Sequence, residues 1–209
     1  MLSSENQEIF TKFEKPEKVY TFLHTTGFNY SHSTQLEHFY HSVPLLDHQR
    51  NNDGWDIDGW GAQDRTILTD KNYAAVTTKL EMCTTYKIEL IHVVQEPSFD
   101  EVLKFYEESG YLLLGAQGLA YFGSRFIEDL PTEYSIISFD KKENFYKEKN
   151  GSYQIPYICK WSHFDKDDSD FCPYIRYCMH TRECKEDTTY NRGDYLLCVK
   201  KYDRQFSHD

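Results

Sequence analysis

The sequence LPTEYSIISFD, residues 130–140, is the stretch on which we base the fold prediction. Ile136, Ile137 and Phe139 favour a β-strand, a proline precedes them, and an acidic, lysine-containing turn follows them. Glu133 stands at the start of this predicted strand. A carboxylate there is either a solvent-exposed side chain or a group held in place for chemistry, and both alternatives stay open at this point.

The composition extends this prediction from one strand to the whole chain. The 209 residues include 17 Tyr and 14 Phe, so aromatic rings supply much of the apolar surface available for a core. Aromatic residues favour half-buried antiparallel sheets over helical bundles. We therefore expect a single α+β domain over residues 1–209, with a mainly antiparallel, twisted sheet and two helices. Residues 1–16 are polar and are expected to form a flexible or helical N-terminal arm.

Charge and cysteine content narrow the classes of function. The formal net charge of −11 repels phosphate backbones, which disfavours general nucleic-acid binding. Six irregularly spaced cysteines without a secretory leader predict reduced thiols, no disulfide and a cytoplasmic protein. No stretch of about 18 consecutive apolar residues occurs, so we expect no membrane span.

The remaining elements follow from the spacing of apolar residues and from capping signals. Helices are predicted at residues 34–44 and 98–110, each opened by a capping box. Residues 71–82 are predicted as helix or strand, and residues 111–122 as two short elements around a tight turn. Further strands are predicted at residues 18–26, 66–69, 86–95, 174–179 and 194–202, with a hairpin of residues 144–149 and 152–161 around Asn150-Gly151.

Four short pieces of the chain resemble motifs of poly(ADP-ribose) polymerases and diphtheria-toxin-like ADP-ribosyltransferases, in the family's order. They are His24-Thr25-Thr26, residues 66–70 followed by Tyr73-Ala74-Ala75, Glu133-Tyr134-Ser135-Ile136-Ile137-Ser138-Phe139-Asp140, and Pro156-Tyr157-Ile158-Cys159. Thr25 replaces the family's usual glycine, and Tyr73 is the nearest substitute for an aromatic ring on the second strand. The resemblance thus implies either an active or an inactive NAD-binding domain.

The resemblance also implies a role for each matched residue. Glu133 would be the catalytic carboxylate, since cleavage of the bond between ribose and nicotinamide develops positive charge on the sugar. His24 and Thr26 would bind the adenosine ribose. Tyr73 and Tyr134 would complete the NAD site. The family geometry predicts that His24 and Glu133 line one cleft between neighbouring strands.

Two further hypotheses stand beside this one. Cys172, Cys178, His180 and Cys184 carry zinc's preferred ligand atoms, but their spacing matches no common zinc motif, so no metal is expected. The rival function is a non-catalytic, acidic protein-interaction domain, such as an immunity, inhibitor or virion component. A protein partner or protein substrate is expected under either function.

Overall fold

A computed structural model describes residues 9–14, 18–24, 67–126, 135–163, 174–184, 190 and 194–202. Seven strands in these ranges form one open sheet, in the order β1–β2–β7–β3–β5–β4. The strand β5 also pairs with β6, which lies outside this order. The strands are β1 Lys18–His24, β2 Thr84–His92, β3 Ser135–Ile137, β4 Tyr146–Lys147, β5 Tyr153–His163, β6 Tyr174–Cys184 and β7 Tyr195–Lys201; the helices are α1 Phe99–Ser109 and α2 Gly115–Phe126.

The sheet is mainly antiparallel, which confirms the predicted α+β class. Only the short pairing of β3 with β7 is parallel; every other pairing among the described strands is antiparallel. The stretch at residues 130–140 contributes β3, whose Ile136 and Ile137 are buried. β3 lies between β7 and β5, so the strand predicted from the fold-deciding stretch is central in the sheet.

Helix α1 forms where the capping signals predicted it. The Ser98 side chain accepts a hydrogen bond from the Glu101 backbone, and the Glu101 side chain accepts one from the Ser98 backbone. Gly110 ends the helix in a left-handed conformation, with φ of 70°. Phe105 on its buried side stacks on Phe13, with ring centroids 4.0 Å apart. Residues 9–14 are thereby packed onto the core.

The prediction of two short elements at residues 111–122 is wrong. Residues 111–114 are extended beside β7, with the Leu112 backbone N–H donating to the Val199 carbonyl oxygen at 2.7 Å, and α2 follows without a break at Gly118. A Cβ on Gly118 would lie 2.3 Å from the Leu114 Cβ. This glycine therefore allows close packing inside a helix, where the prediction took it as a turn signal.

Residues 67–83 also differ from the prediction, since they form neither the strand at 66–69 nor a helix or strand at 71–82. Their backbone turns at Thr69, whose carbonyl oxygen accepts from the Asn72 and Tyr73 backbones. The Asn72 side chain also donates to the Ile67 carbonyl oxygen at 2.8 Å. Such local side-chain bonds compete with regular secondary structure, which explains the difference.

Asp140 connects this irregular segment to the turn that follows β3. Its buried carboxylate accepts from the Thr77 backbone at 3.0 Å, the Thr77 hydroxyl at 2.5 Å and the Asn144 amide at 2.9 Å. Gly115 lies close by, because a Cβ there would be 3.0 Å from an Asp140 oxygen. The acidic turn predicted after β3 is thus an internal anchor.

The predicted hairpin is confirmed, and so are the strands predicted near residues 86–95, 174–179 and 194–202. β4 and β5 pair around Asn150-Gly151, and Gly151 has a φ of +94°, which favours glycine. β1 is confirmed for residues 18–24. The predicted helix at residues 34–44 lies outside the described residues.

Candidate interaction surface

Three rows of side chains cross one face of β1, β2 and β7. The register of the two antiparallel pairings places them opposite one another, and Tyr202 extends the ladder by donating its backbone N–H to the Thr85 carbonyl oxygen at 2.8 Å. Read from β1 to β2 to β7, the rows are Val19–Glu89–Cys198, Thr21–Lys87–Lys200 and Leu23–Thr85–Tyr202. Because side chains alternate along a strand, all three rows belong to the same face.

The β7 side of this face is covered. We call Glu89, Ile91, Leu196 and Cys198 the covered region, and all four are buried. Tyr106 of α1 donates its hydroxyl to the Leu197 carbonyl oxygen at 3.0 Å. Burial raises the pKa of the Cys198 thiol well above its usual value, so this cysteine is an inert core residue.

Glu89 is the centre of a charged cluster at the boundary of the covered region. Its carboxylate lies 2.5 Å from Lys87 Nζ and 3.0 Å from Lys200 Nζ, and it accepts a hydrogen bond from the Tyr111 hydroxyl at 2.6 Å. Burial alone would raise the pKa of Glu89, but the bonds from Lys87, Tyr111 and Lys200 outweigh burial and lower it. Two ammonium groups thus share one ionised carboxylate, and the cluster carries a net charge of +1.

Tyr111 keeps its proton in this cluster. Burial raises the pKa of its phenol, and the adjacent Cys198 and Glu89 raise it further. The Lys200 ammonium lies 4.8 Å from the centre of the Tyr111 ring, which places a cation over its π-face. The cluster is therefore a fixed hydrogen-bonded and cationic arrangement, with both lysines about one-third exposed.

The β1 side of the face is open. We call Val19, Thr21, Leu23, Met82 and Tyr202 the β1 surface. Its apolar members are exposed by 49% at Val19, 53% at Leu23, 65% at Met82 and 45% at Tyr202, and they are the large apolar side chains that the described residues expose. Met82 lies in the turn that precedes β2, at the end of the sheet where β1 finishes, and is included for that position. Exposed apolar residues scattered singly are ordinary, but their concentration in one place marks interaction sites.

The backbone of β1 adds a second feature to this surface. Among the described strands, β1 pairs with β2 alone and forms one edge of the sheet. Its seven residues contain no proline and pair without a bulge. Edge strands usually carry prolines, bulges or charged side chains, lysine above all, that prevent pairing with another chain. β1 has one lysine, Lys18, at its first position. The exposed face of β1 consists of Val19, Thr21 and Leu23, which form none of these barriers.

The residues assigned to an NAD site by resemblance are only partly described. Glu133, Thr26 and Tyr134 lie outside the described residues, and only the backbone of His24 is described, at the end of β1. Tyr73 is fully buried, and its hydroxyl donates to the Gln154 carbonyl oxygen at 2.9 Å. In this position the Tyr73 ring has no exposed face on which nicotinamide could stack.

The sheet order also bears on the expected cleft. β2 and β7 lie between β1 and β3. Glu133 lies outside the described residues, so the cleft expected between it and His24 stays a prediction. β1 and β3 run in the same direction, and His24 ends β1 whereas Ser135 begins β3. His24 and Ser135 therefore lie toward opposite ends of the sheet along the strand direction.

Three of the four zinc candidates lie on one strand. Cys172 lies outside the described residues, and β6 carries Cys178, His180 and Cys184. At about 3.4 Å per residue, His180 and Cys184 are about 13 Å apart along β6, too far for one zinc ion with ligands at about 2 Å. Cys184 is buried and is not part of a disulfide. Within the described ranges, no group of three or more His, Cys, Asp or Glu side chains is placed to hold a metal ion.

The prediction from sequence missed the β1 surface and the Glu89 cluster. One signal was present, because Lys87 and Glu89 alternate with the apolar residues of β2 and so face away from them. Lys200 and Tyr111 gave no such signal, since they reach Glu89 through cross-strand register and through the segment after α1.

Comparison of the chain with protein-family models, with curated proteins and with solved structures found no match in any of the three. Neither helix in the described part of the chain has the length and apolarity to cross a membrane.

Proposed function

We propose that this chain is a non-catalytic protein-interaction domain that binds a protein partner through the β1 surface. The observation that carries the proposal is that Val19, Leu23 and Tyr202 are exposed on one face of the sheet, with the exposed Met82 in the turn that precedes β2. Burying apolar area against a partner contributes about 25 cal/mol per Å² before the costs of association. The centre of a protein interface is more apolar than its rim, and these exposed side chains would supply such a centre.

The charges around the β1 surface support a protein partner. The chain as a whole carries a net charge of −11, whereas the Glu89 cluster beside the patch carries +1. A polar, partly charged rim around an apolar centre is the usual arrangement of a protein interface. The local positive charge would also orient an incoming partner relative to the acidic remainder of the chain.

The NAD-dependent transferase stays a prediction, as does NAD as the cofactor. Its catalytic residue, Glu133, and two of its four proposed binding residues lie outside the described residues. The buried Tyr73 and the separation of β1 from β3 give it no support. We therefore rank the interaction domain first.

The proposal is tested by comparing two variants that each add one negative charge. Leu23→Asp places an unpaired carboxylate in the apolar patch, whereas Asn150→Asp adds the same charge at the exposed β4–β5 turn, where the side-chain oxygen still accepts from Ser152. Tagged wild type and both variants are recovered from the native cells, and bound proteins are quantified by mass spectrometry. We expect specific partners to be lost with Leu23→Asp and kept with Asn150→Asp.

A parallel measurement separates this function from the transferase. Melting curves of the wild type are recorded with and without NAD. An interaction domain should melt at the same temperature in both, while an NAD site would stabilise the fold by an amount that grows with the logarithm of the NAD concentration above its Kd. NAD-dependent stabilisation together with equal partner recovery by both variants would refute the proposal.

A further inference from the structure

We infer that the partner binds as an extended segment that adds to β1 as a further strand, with the side-chain pattern apolar–x–acidic–x–apolar. This inference rests on the proposed function and specifies its ligand. The pattern follows from the open face of β1, on which Val19, Thr21 and Leu23 stand at alternate positions. A strand paired with β1 would place its own alternate side chains beside these three.

The two outer positions of the pattern are apolar because Val19 and Leu23 are about half exposed. Side chains directly opposite one another on neighbouring strands lie about 5 Å apart at Cβ, close enough for apolar contact. Residues at these positions would cover the Val19 and Leu23 side chains. The same pairing would satisfy the outward-facing backbone groups of β1, which gives affinity without dependence on sequence.

The central position is acidic because lysine side chains stand in the same cross-strand row as Thr21. Lys87 lies directly opposite Thr21, and Lys200 lies opposite Lys87. An added strand would lie two strand spacings from β2, at a distance of about 10 Å. A lysine side chain on β2 and a glutamate side chain on the added strand can meet across this distance, because the threonine between them is small. Because Lys87 and Lys200 share the single Glu89 carboxylate, one positive charge is free to pair with the segment.

The same observations argue against a second copy of this chain as the occupant. In a β1–β1 pairing the side chains facing Val19, Thr21 and Leu23 would again be Val, Thr and Leu, so no acid would face Lys87. Each copy also brings a net charge of −11, which opposes association. The partner is therefore a different protein.

The test uses short fluorescent peptides of alternating pattern and measures binding by anisotropy. One peptide has Val-Thr-Glu-Thr-Leu at its centre, the second has Lys in place of Glu, and the third is the Glu peptide with N-methyl groups on alternate amides. We expect the Glu peptide to bind, the Lys peptide to bind at least about tenfold more weakly, and the N-methylated peptide to lose binding because it cannot pair with β1.

Two protein variants test the electrostatic part. Lys87→Gln should weaken the Glu peptide about tenfold and leave a Gln peptide nearly unchanged, while Thr21→Glu should reverse the preference between the Glu and Lys peptides. Thr21 is exposed, so its variant also serves if Lys87→Gln fails to fold. Circular dichroism of each variant provides the folding control.

Four results would overturn the inference. Equal binding of the Glu and Lys peptides would show that the central position need not be acidic. Undiminished binding of the N-methylated peptide would show that the segment does not add to β1 as a strand. A dimer in sedimentation that Leu23→Asp dissociates would make a second copy the occupant. If none of the peptides binds but Leu23→Asp still loses the cellular partner, the inference fails while the proposed function stands.

Discussion

The covered region and the β1 surface lie on one face of the same sheet, yet they differ in what lies above them. In the covered region α1 and the segment after it lie over β2 and β7, and Glu89, Ile91, Leu196 and Cys198 are buried. On the β1 surface, Val19 and Leu23 are as apolar as Ile91 and Leu196 of the covered region, but they are about half exposed. Residue type alone therefore does not distinguish a core position from a binding position. The packing of α1 determines the difference.

The largest effect on stability is expected when the aromatic packing beneath α1 is removed. Phe105→Ala should lower the free energy of unfolding by about 4 kcal/mol, because it deletes a buried ring that stacks on Phe13 at 4.0 Å and meets Phe10 edge-on at 5.5 Å. Urea denaturation followed by circular dichroism measures the change. The matched control is Tyr202→Ala on the β1 surface, whose ring is 45% exposed. A comparable loss in both variants would contradict the distinction between the two regions.

An intermediate effect is expected at the boundary between the regions. Glu89→Gln keeps the side-chain volume but removes the charge that faces Lys87, Lys200 and Tyr111. We expect a loss of about 2 kcal/mol near neutral pH, because the ammonium groups lose their counter-charge while remaining partly accessible to water.

The pH dependence of this loss has a definite sign. The folded state lowers the pKa of Glu89, so its stabilisation is complete above the usual value of 4.5 and disappears as the pH falls through the lowered folded value. The stability difference between wild type and Glu89→Gln should therefore be constant near neutral pH and shrink in acid. A difference that grows on acidification would contradict the assigned charge state.

The smallest effect on stability is expected on the β1 surface. Leu23→Asp should change the free energy of unfolding by no more than about 0.5 kcal/mol, because the side chain is 53% exposed. The same substitution is expected to abolish partner binding, so stability and function separate at this position. Thermal melting beside Asn150→Asp checks the first part. A large destabilisation would mean that Leu23 belongs to the core.

Local signals in the sequence predicted the local structure well. The capping box of Ser98 and Glu101, Gly110 at the end of α1 and the Asn150-Gly151 turn each act within a few residues, and the structure confirms all of them. The alternation in β2 likewise predicted a strand with one apolar face. These features depend on neighbours in the chain, which the sequence displays directly.

Long-range pairings could not be predicted in the same way. The contact of Glu89 with Lys200 requires the register of β2 against β7, and the burial of Tyr73 requires Gln154, which is 81 residues away. Gly118 was misjudged because its tight contact with Leu114 is a matter of packing within a helix. The exposure of Val19 and Leu23 depends on where α1 lies, which no local pattern in β1 reveals.

The position of β7 has a consequence for the synthesis of this protein. β7 joins β2 to β3, although it follows every other described strand in the chain. A growing polypeptide would therefore hold β1–β2 and β3–β6 as two incomplete halves, each with an unpaired inner edge, until residues 195–201 leave the ribosome. We expect nascent chains stalled before residue 195 to be cleaved readily by added protease and the released 209-residue chain to resist it. Chaperones that bind exposed strand edges would act on this protein during that interval of translation.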